Sequence, residues 1–147
     1  MKNAIYFDMD GTIANLYGVQ DWLDDLINER TRPYKEARVM ANMALLARYL
    51  HKVQNAGYHI GIISWLSKNG TMDYNMAVYR TKLEWLKKHL PSVEWNEIQI
   101  VPYGTPKSEA VLYGEGILFD DEEPNRTEWG ENAYMPDEIM EVLKGLL

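Results

Sequence analysis

Short apolar runs alternate with longer segments of helical periodicity along the whole chain, and each run ends in a turn or a polar residue. The runs cover residues 4–8, 58–64, 97–101 and 116–120, with a shorter fifth at 132–135. Between them, apolar residues recur at the spacing of one helix face: Val39, Met43, Leu46, Leu50 and Val53 before the second run, and Met76, Tyr79, Leu83, Leu86 and Leu90 before the third. Gly57 and Pro91 close these two helices. An earlier face of Val19, Trp22, Leu23, Leu26 and Ile27 is cut by Arg32-Pro33. Thr105-Pro106 reads as a helix N-cap followed by Pro at the first helical position, opening a short helix to about Tyr113. Pro136-Asp137 opens a last helix, with Ile139, Val142, Leu143 and Leu146 facing inward. Such alternation predicts an α/β chain with a parallel sheet covered on both faces and right-handed crossovers. In such sheets ligands bind beyond the carboxyl ends of the strands, where the strand order reverses.

The first run leads straight into Asp8-Met9-Asp10-Gly11-Thr12. A buried carboxylate without a partner is costly, so something must hold this pair. The second run ends in Ser64, followed by Trp65, and the fourth ends in Asp120-Asp121. Lys107 opens the helix before that fourth run. Acids, a hydroxyl and a cation thus gather at the strand exits. Together they suit a metal ion and a phosphate, because Mg²⁺ prefers a few carboxylates together with waters and phosphate oxygens.

The totals narrow the partners. The chain has 147 residues, the size of one domain, and a formal net charge of −7. An acidic chain is poorly suited to gripping long polyanions, so extended nucleic-acid binding is not expected, whereas a small phosphorylated substrate is compatible. The absence of cysteine excludes disulfides and thiolate metal sites. No apolar run approaches the length of a membrane span, and the first residues carry no signal-peptide pattern. The expectation is a cytoplasmic protein with no membrane contact. His51, His59 and His89 have no ligand spacing among themselves and read as structural or surface residues.

"DMDGT", a strand ending in "IGIIS", an intervening lysine and "ILFDDE" occur in the order found in the haloacid dehalogenase (HAD) superfamily, and the chain resembles that family from Asp8 to Asp121. The segment "KSEAVLYGEGILFDDEEPNRTEW" resembles small phage and bacterial members grouped with 5′-nucleotidase-like proteins. The resemblance implies a Rossmann-like three-layer sandwich with a five-stranded parallel sheet in the order 3-2-1-4-5. It implies Asp8 as nucleophile, Asp10 as general acid and base, Ser64 as a donor to the phosphoryl group and Lys107 as its neutralising cation. It also implies Mg²⁺ as cofactor, held by Asp8, the backbone carbonyl of Asp10 and Asp120, with Asp121 as a ligand or close neighbour. Lys68 competes with Lys107 for the cationic role. Gly11 allows the turn that returns Asp10 to the site, and with Thr12 and Trp65 it is a candidate substrate contact; Trp65 is placed to stack on a ring. Asn125 and Trp129 match the same pattern and are expected to shape the loop after Asp121. Only residues 13–34 are available for the cap that many family members insert there, so a vestigial cap is expected, with Tyr17, Trp22 and Tyr34 at the entrance.

The reaction expected is hydrolysis of a phosphomonoester through an aspartyl-phosphate, with a nucleoside monophosphate as first candidate substrate. A polynucleotide 3′-phosphatase and a non-catalytic Mg²⁺- or phosphate-binding module are the alternatives.

Overall fold

A computed structural model describes residues 3–147. Five strands form one parallel sheet: β1 (Ala4–Phe7), β4 (His59–Trp65), β5 (Glu97–Val101), β6 (Ile117–Phe119) and β7 (Ala133–Tyr134), in the order β5-β4-β1-β6-β7. Numbered along the chain, this is the expected 3-2-1-4-5 order. The remaining two strands, β2 (Ala14–Asn15) and β3 (Arg38–Val39), form a small antiparallel pair outside the sheet.

The pleat of β1 divides the core. Ile5 and Phe7 face one side, where they pack with Leu46, Leu50 and Val53 of α3 (Met43–Asn55), Trp85 and Leu86 of α4 (Met72–His89), and Ile139 and Leu143 of α7 (Ile139–Gly145). Ala4 and Tyr6 face the other, against Ile63, Leu118 and Trp129 of α6 (Glu123–Trp129). Successive strand residues point to opposite faces, so a strand buried on both must be apolar throughout, as β1 is. The order reverses at β1, between β4 and β6, which puts the predicted ligand crevice over the end of β1.

Several local expectations are corrected. Val39 does not begin α3; it lies in β3, and Asn42 caps the helix by accepting from the Leu45 amide at 3.1 Å. Arg32-Pro33 does not merely end a helix but starts α2 (Arg32–Glu36), where Pro fits because the first-turn amides have no helical partner. The helix after Thr105 is a single turn, α5 (Lys107–Ala110); Pro106 takes the cap position and the Thr105 hydroxyl donates to the Pro102 carbonyl at 2.7 Å. Pro136 opens a 3₁₀ turn, Pro136–Glu138, that leads into α7. In α4 the buried face is Tyr74, Val78, Lys82, Trp85 and Leu86, whereas Met76 and Tyr79 are exposed. None of the described helices is long and apolar enough to cross a membrane.

Candidate active site

β1 ends with the Asp8 amide donating to the Phe119 carbonyl of β6 at 2.9 Å. The chain then folds back on the Met9 carbonyl, which accepts from the amides of Thr12, Ile13 and Ala14 at 3.1, 3.0 and 2.9 Å. Gly11 enters this turn with φ +80°, and a Cβ there would collide with the Asp121 carboxylate. Both its backbone angle and the close approach call for glycine. The turn brings Asp10 back over the strand exit, as expected, so that Asp8 and Asp10 line one cleft.

Lys107, at the start of α5, reaches across beneath them. Its ammonium donates to Asp8 Oδ1 at 2.9 Å and to Asp120 Oδ2 at 2.6 Å, and it is almost fully buried. Burial opposes its charge, but Asp8 and Asp120 outweigh that and raise its pKa. Asp120, fully buried, also accepts from the Glu122 amide at 2.9 Å and Asn125 Nδ2 at 3.2 Å. Asn125 therefore shapes the loop after Asp121, while Trp129 anchors it by donating from Nε1 to the Gly116 carbonyl at 2.8 Å. Thr12, a candidate substrate contact in the sequence, is 1% exposed and does not line the cleft. Its hydroxyl ties the two acidic loops instead, donating to Asp8 Oδ2 at 3.1 Å and accepting from the Asp121 amide at 3.2 Å.

Asp8, Asp120 and Asp121 each offer a carboxylate oxygen within 4.8 Å of the others. Burial, then Asp8, push the Asp120 carboxyl up to about 6 and the Asp121 carboxyl, further raised by Asp120, up to about 7. Three carboxylates against the single Lys107 ammonium leave excess negative charge. The all-oxygen donor set fits a hard divalent cation such as Mg²⁺, which takes carboxylates and keeps several waters.

A second buried lysine was not anticipated. Lys82 of α4 is 1% exposed, and its ammonium donates to Asp10 Oδ2 at 2.9 Å, to Ser64 Oγ at 2.7 Å and to the Trp65 carbonyl at 2.7 Å. Burial raises the Asp10 pKa, Lys82 opposes this and Asp8 adds to it; the balance is upward. Ser64 is fully buried and lies behind the cleft wall, whereas Ser67, past the strand, lines the cleft. Lys82 falls four residues after Val78 and three before Trp85, inside the buried stripe of α4, a stripe that the periodicity of Met76, Tyr79 and Leu83 does not mark. Lys68, the competitor considered for Lys107, instead points its ammonium toward the Tyr103 ring, 5.7 Å from its centroid.

The cleft has a volume of about 500 Å³. Trp65 forms part of its wall, its Nε1 donating to the Thr105 carbonyl at 2.8 Å. The Lys107 ammonium lies 5.3 Å from the Trp65 ring centroid, and the Tyr103 ring packs against Trp65 at 4.8 Å. A further part of the lining comes from residues 16–34, which hold a 3₁₀ turn, α1 (Trp22–Ile27) and the start of α2. Tyr17 and Trp22 meet edge to face there at 4.9 Å. Tyr34 also lines the cleft but is itself buried, its ring 5.1 Å from the Lys82 ammonium.

α1 keeps only part of its expected apolar face inward, with Leu26 packed against Leu16, Tyr34, Tyr74 and Val78. Leu23 and Ile27 are 56% and 70% exposed, and the helix buries Asp25. Arg30 and Arg32 hold that carboxylate at 3.1 and 2.6 Å. Pairing offsets the cost of burying the acid, and the apolar side chains of α1 are left to overlook the cleft.

No family model matches this chain, and no curated protein matches it. Among solved structures, the chain is similar to D,D-heptose 1,7-bisphosphate phosphatase from Burkholderia thailandensis, with a TM-score of 0.58 and 12% sequence identity, over 98% of this chain and 97% of that one. The likeness is one of fold. It extends across almost the full length of both chains, so the sheet order and the crevice over β1 belong to an architecture that also carries a phosphatase.

Proposed function

We propose that this protein is a Mg²⁺-dependent phosphomonoester hydrolase that acts through an aspartyl-phosphate on Asp8. The observation that carries the proposal is the pairing of two carboxylates at one strand exit with different surroundings. Asp8 is held by Lys107 and Thr12 beside two further acids, whereas Asp10, its pKa raised, faces the same cleft. A nucleophile and a proton carrier need such unlike environments. The motif order shared with the HAD superfamily and the phosphatase among structures of the same fold support the reading.

An Asp8 carboxylate oxygen attacks phosphorus, the bond from phosphorus to the ester oxygen breaks, and that oxygen takes the proton of Asp10. Water then attacks the aspartyl-phosphate, gives a proton to Asp10 and releases inorganic phosphate and Asp8. Two unit charges 4 Å apart repel by about 4 kcal/mol at an effective dielectric of 20. A carboxylate approaching a phosphate dianion meets more. Lys107 opposes part of this repulsion, and Mg²⁺ bound by Asp8, Asp120, Asp121 and the Asp10 carbonyl would supply the remaining positive charge.

The same cleft is lined by Tyr17, Trp22, Leu23 and Ile27, with Tyr103 beside Trp65. An apolar, aromatic wall suits a leaving group with a flat ring, which keeps a nucleoside monophosphate as first candidate. The test is release of inorganic phosphate from a panel of phosphorylated metabolites and 3′-phosphorylated oligonucleotides, with Mg²⁺. Turnover of ring-bearing monophosphates is expected. Turnover of oligonucleotide ends alone would select the polynucleotide reading. No turnover together with Mg²⁺ or phosphate binding would select a non-catalytic module.

A further inference from the structure

We infer that Lys82 is a positioning residue that fixes the orientation of the proton-carrying Asp10 and of the Ser64 hydroxyl. The inference rests on the phosphatase reading and adds to it a residue that no motif at the strand exits contains.

An ammonium has three N–H groups and no acceptor. Lys82 directs them to Asp10 Oδ2, Ser64 Oγ and the Trp65 carbonyl, at 2.9, 2.7 and 2.7 Å. None is left over for a substrate, so Lys82 acts through its partners. Its side chain starts from the buried stripe of α4, between Val78 and Trp85, and Trp85 locks that stripe by donating from Nε1 to the Ala37 carbonyl at 2.8 Å. The helix is thus fixed with its lysine aimed at the exits of β1 and β4. A buried ammonium is expensive, and a Leu or Met would fill the same stripe without that expense. What the lysine adds is direction.

Two consequences follow from the donor geometry. Lys82 occupies Oδ2 of Asp10, a side chain 19% exposed that lines the cleft, and so leaves Oδ1 as the oxygen to exchange a proton with the leaving group. Ser64, fully buried behind the cleft wall, accepts from Lys82 at Oγ, so the same ammonium ties the exit of β4 to the carboxylate of Asp10.

Leaving-group dependence separates this role from simple support of the fold. A nitrophenolate departs without a proton, whereas an alkoxide needs one from Asp10. Wild type and Lys82→Met are compared on p-nitrophenyl phosphate and on β-glycerophosphate, with Mg²⁺, after thermal melts confirm cooperative folding. The kcat/KM of Lys82→Met should fall about a hundredfold further on the glycerol ester than on the aryl ester, the low end of what general acid catalysis contributes. Added to Asp10→Asn, the same change should cost little more, because residues acting as a unit are not additive. Equal losses on the two esters would overturn the inference. If Lys82→Met does not melt cooperatively, Lys82→Arg takes its place on the same two esters, since it keeps the charge but not the geometry; a larger loss on the glycerol ester is again expected, and equal losses again overturn the inference. A wild type that hydrolyses neither ester rejects the phosphatase reading instead. A crystal structure of the Lys82 variant then decides the role of Lys82: the Asp10 carboxylate should leave its place at the exit of β1, and an unmoved Asp10 would overturn the assignment.

Discussion

Lys107 and Asp8 stand 99 positions apart in the chain and 2.9 Å apart in space. The same ammonium touches Asp120 at 2.6 Å, so one cation joins the exits of β1 and β6. Asp8→Asn should abolish turnover, because an amide is not a competent nucleophile. It should not lower the melting temperature, since it also removes one of three crowded carboxylates. Phosphate-release assays and a thermal melt on the same sample check both halves, and wild-type turnover by the folded variant would overturn the mechanism.

Chelation should silence the proposed turnover. EDTA is expected to remove activity and Mg²⁺ to restore it better than Ca²⁺, which takes more oxygen ligands at longer distances. Ca²⁺ would engage the Asp8 carboxylate more fully and hinder its attack. Activity that persists in chelator would contradict the role given to Asp8, Asp120 and Asp121.

The aromatic walls make a split prediction. Trp65 is engaged by Thr105, Tyr103 and the Lys107 ammonium, so Trp65→Ala should weaken turnover of ring-bearing and ring-free phosphates alike. Trp22 lines the cleft with its ring packed edge to face on Tyr17, so Trp22→Ala should weaken only ring-bearing substrates. The expected loss is one stacking contact, about 1–3 kcal/mol, or roughly tenfold to a hundredfold in kcat/KM. A selective loss in Trp65→Ala, with Trp22→Ala unchanged, would move the ring to Trp65.

Glu97 predicts an acid limit to stability. Burial works against its charge, but donors from Tyr6, Gln99, His59 and the Leu112 amide, at 2.6 to 3.0 Å, prevail and hold the carboxyl below its usual range. A carboxyl depressed in the folded state stabilises fully above its unfolded value, and that contribution is lost as pH falls through the folded value. The melting temperature should therefore decline below the ordinary glutamate range. Glu97→Gln turns one acceptor into a donor facing donors, at about 1–3 kcal/mol. It should melt lower than wild type at neutral pH, with the gap narrowing in acid; a gap that is constant with pH would remove Glu97 from the explanation.

Much of the site was legible because strand exits are local. An apolar run that stops at Asp8, Ser64 or Asp120 states where the chain leaves the sheet, and a positive-φ glycine after Asp10 marks its return. Strand-helix alternation then pointed to the parallel sheet, and the resemblance of the motif order to the HAD superfamily implied which exits meet. Periodicity was ambiguous where polar side chains take buried positions. Lys82 reads as a surface residue until three acceptors are seen around it, and Asp25 until Arg30 and Arg32 enclose it. The partners of Lys82 lie 17 to 72 residues away and those of Asp25 five and seven residues away, past the end of its helix, so in neither case does helical periodicity record the pairing that repays burial of a charge. By itself, the sequence determined the alternation of strands and helices and the acids at the strand ends. Only the tertiary structure decided which lysines reach those acids and which way the apolar face of α1 turns, because those choices depend on charges that meet only after the chain has folded.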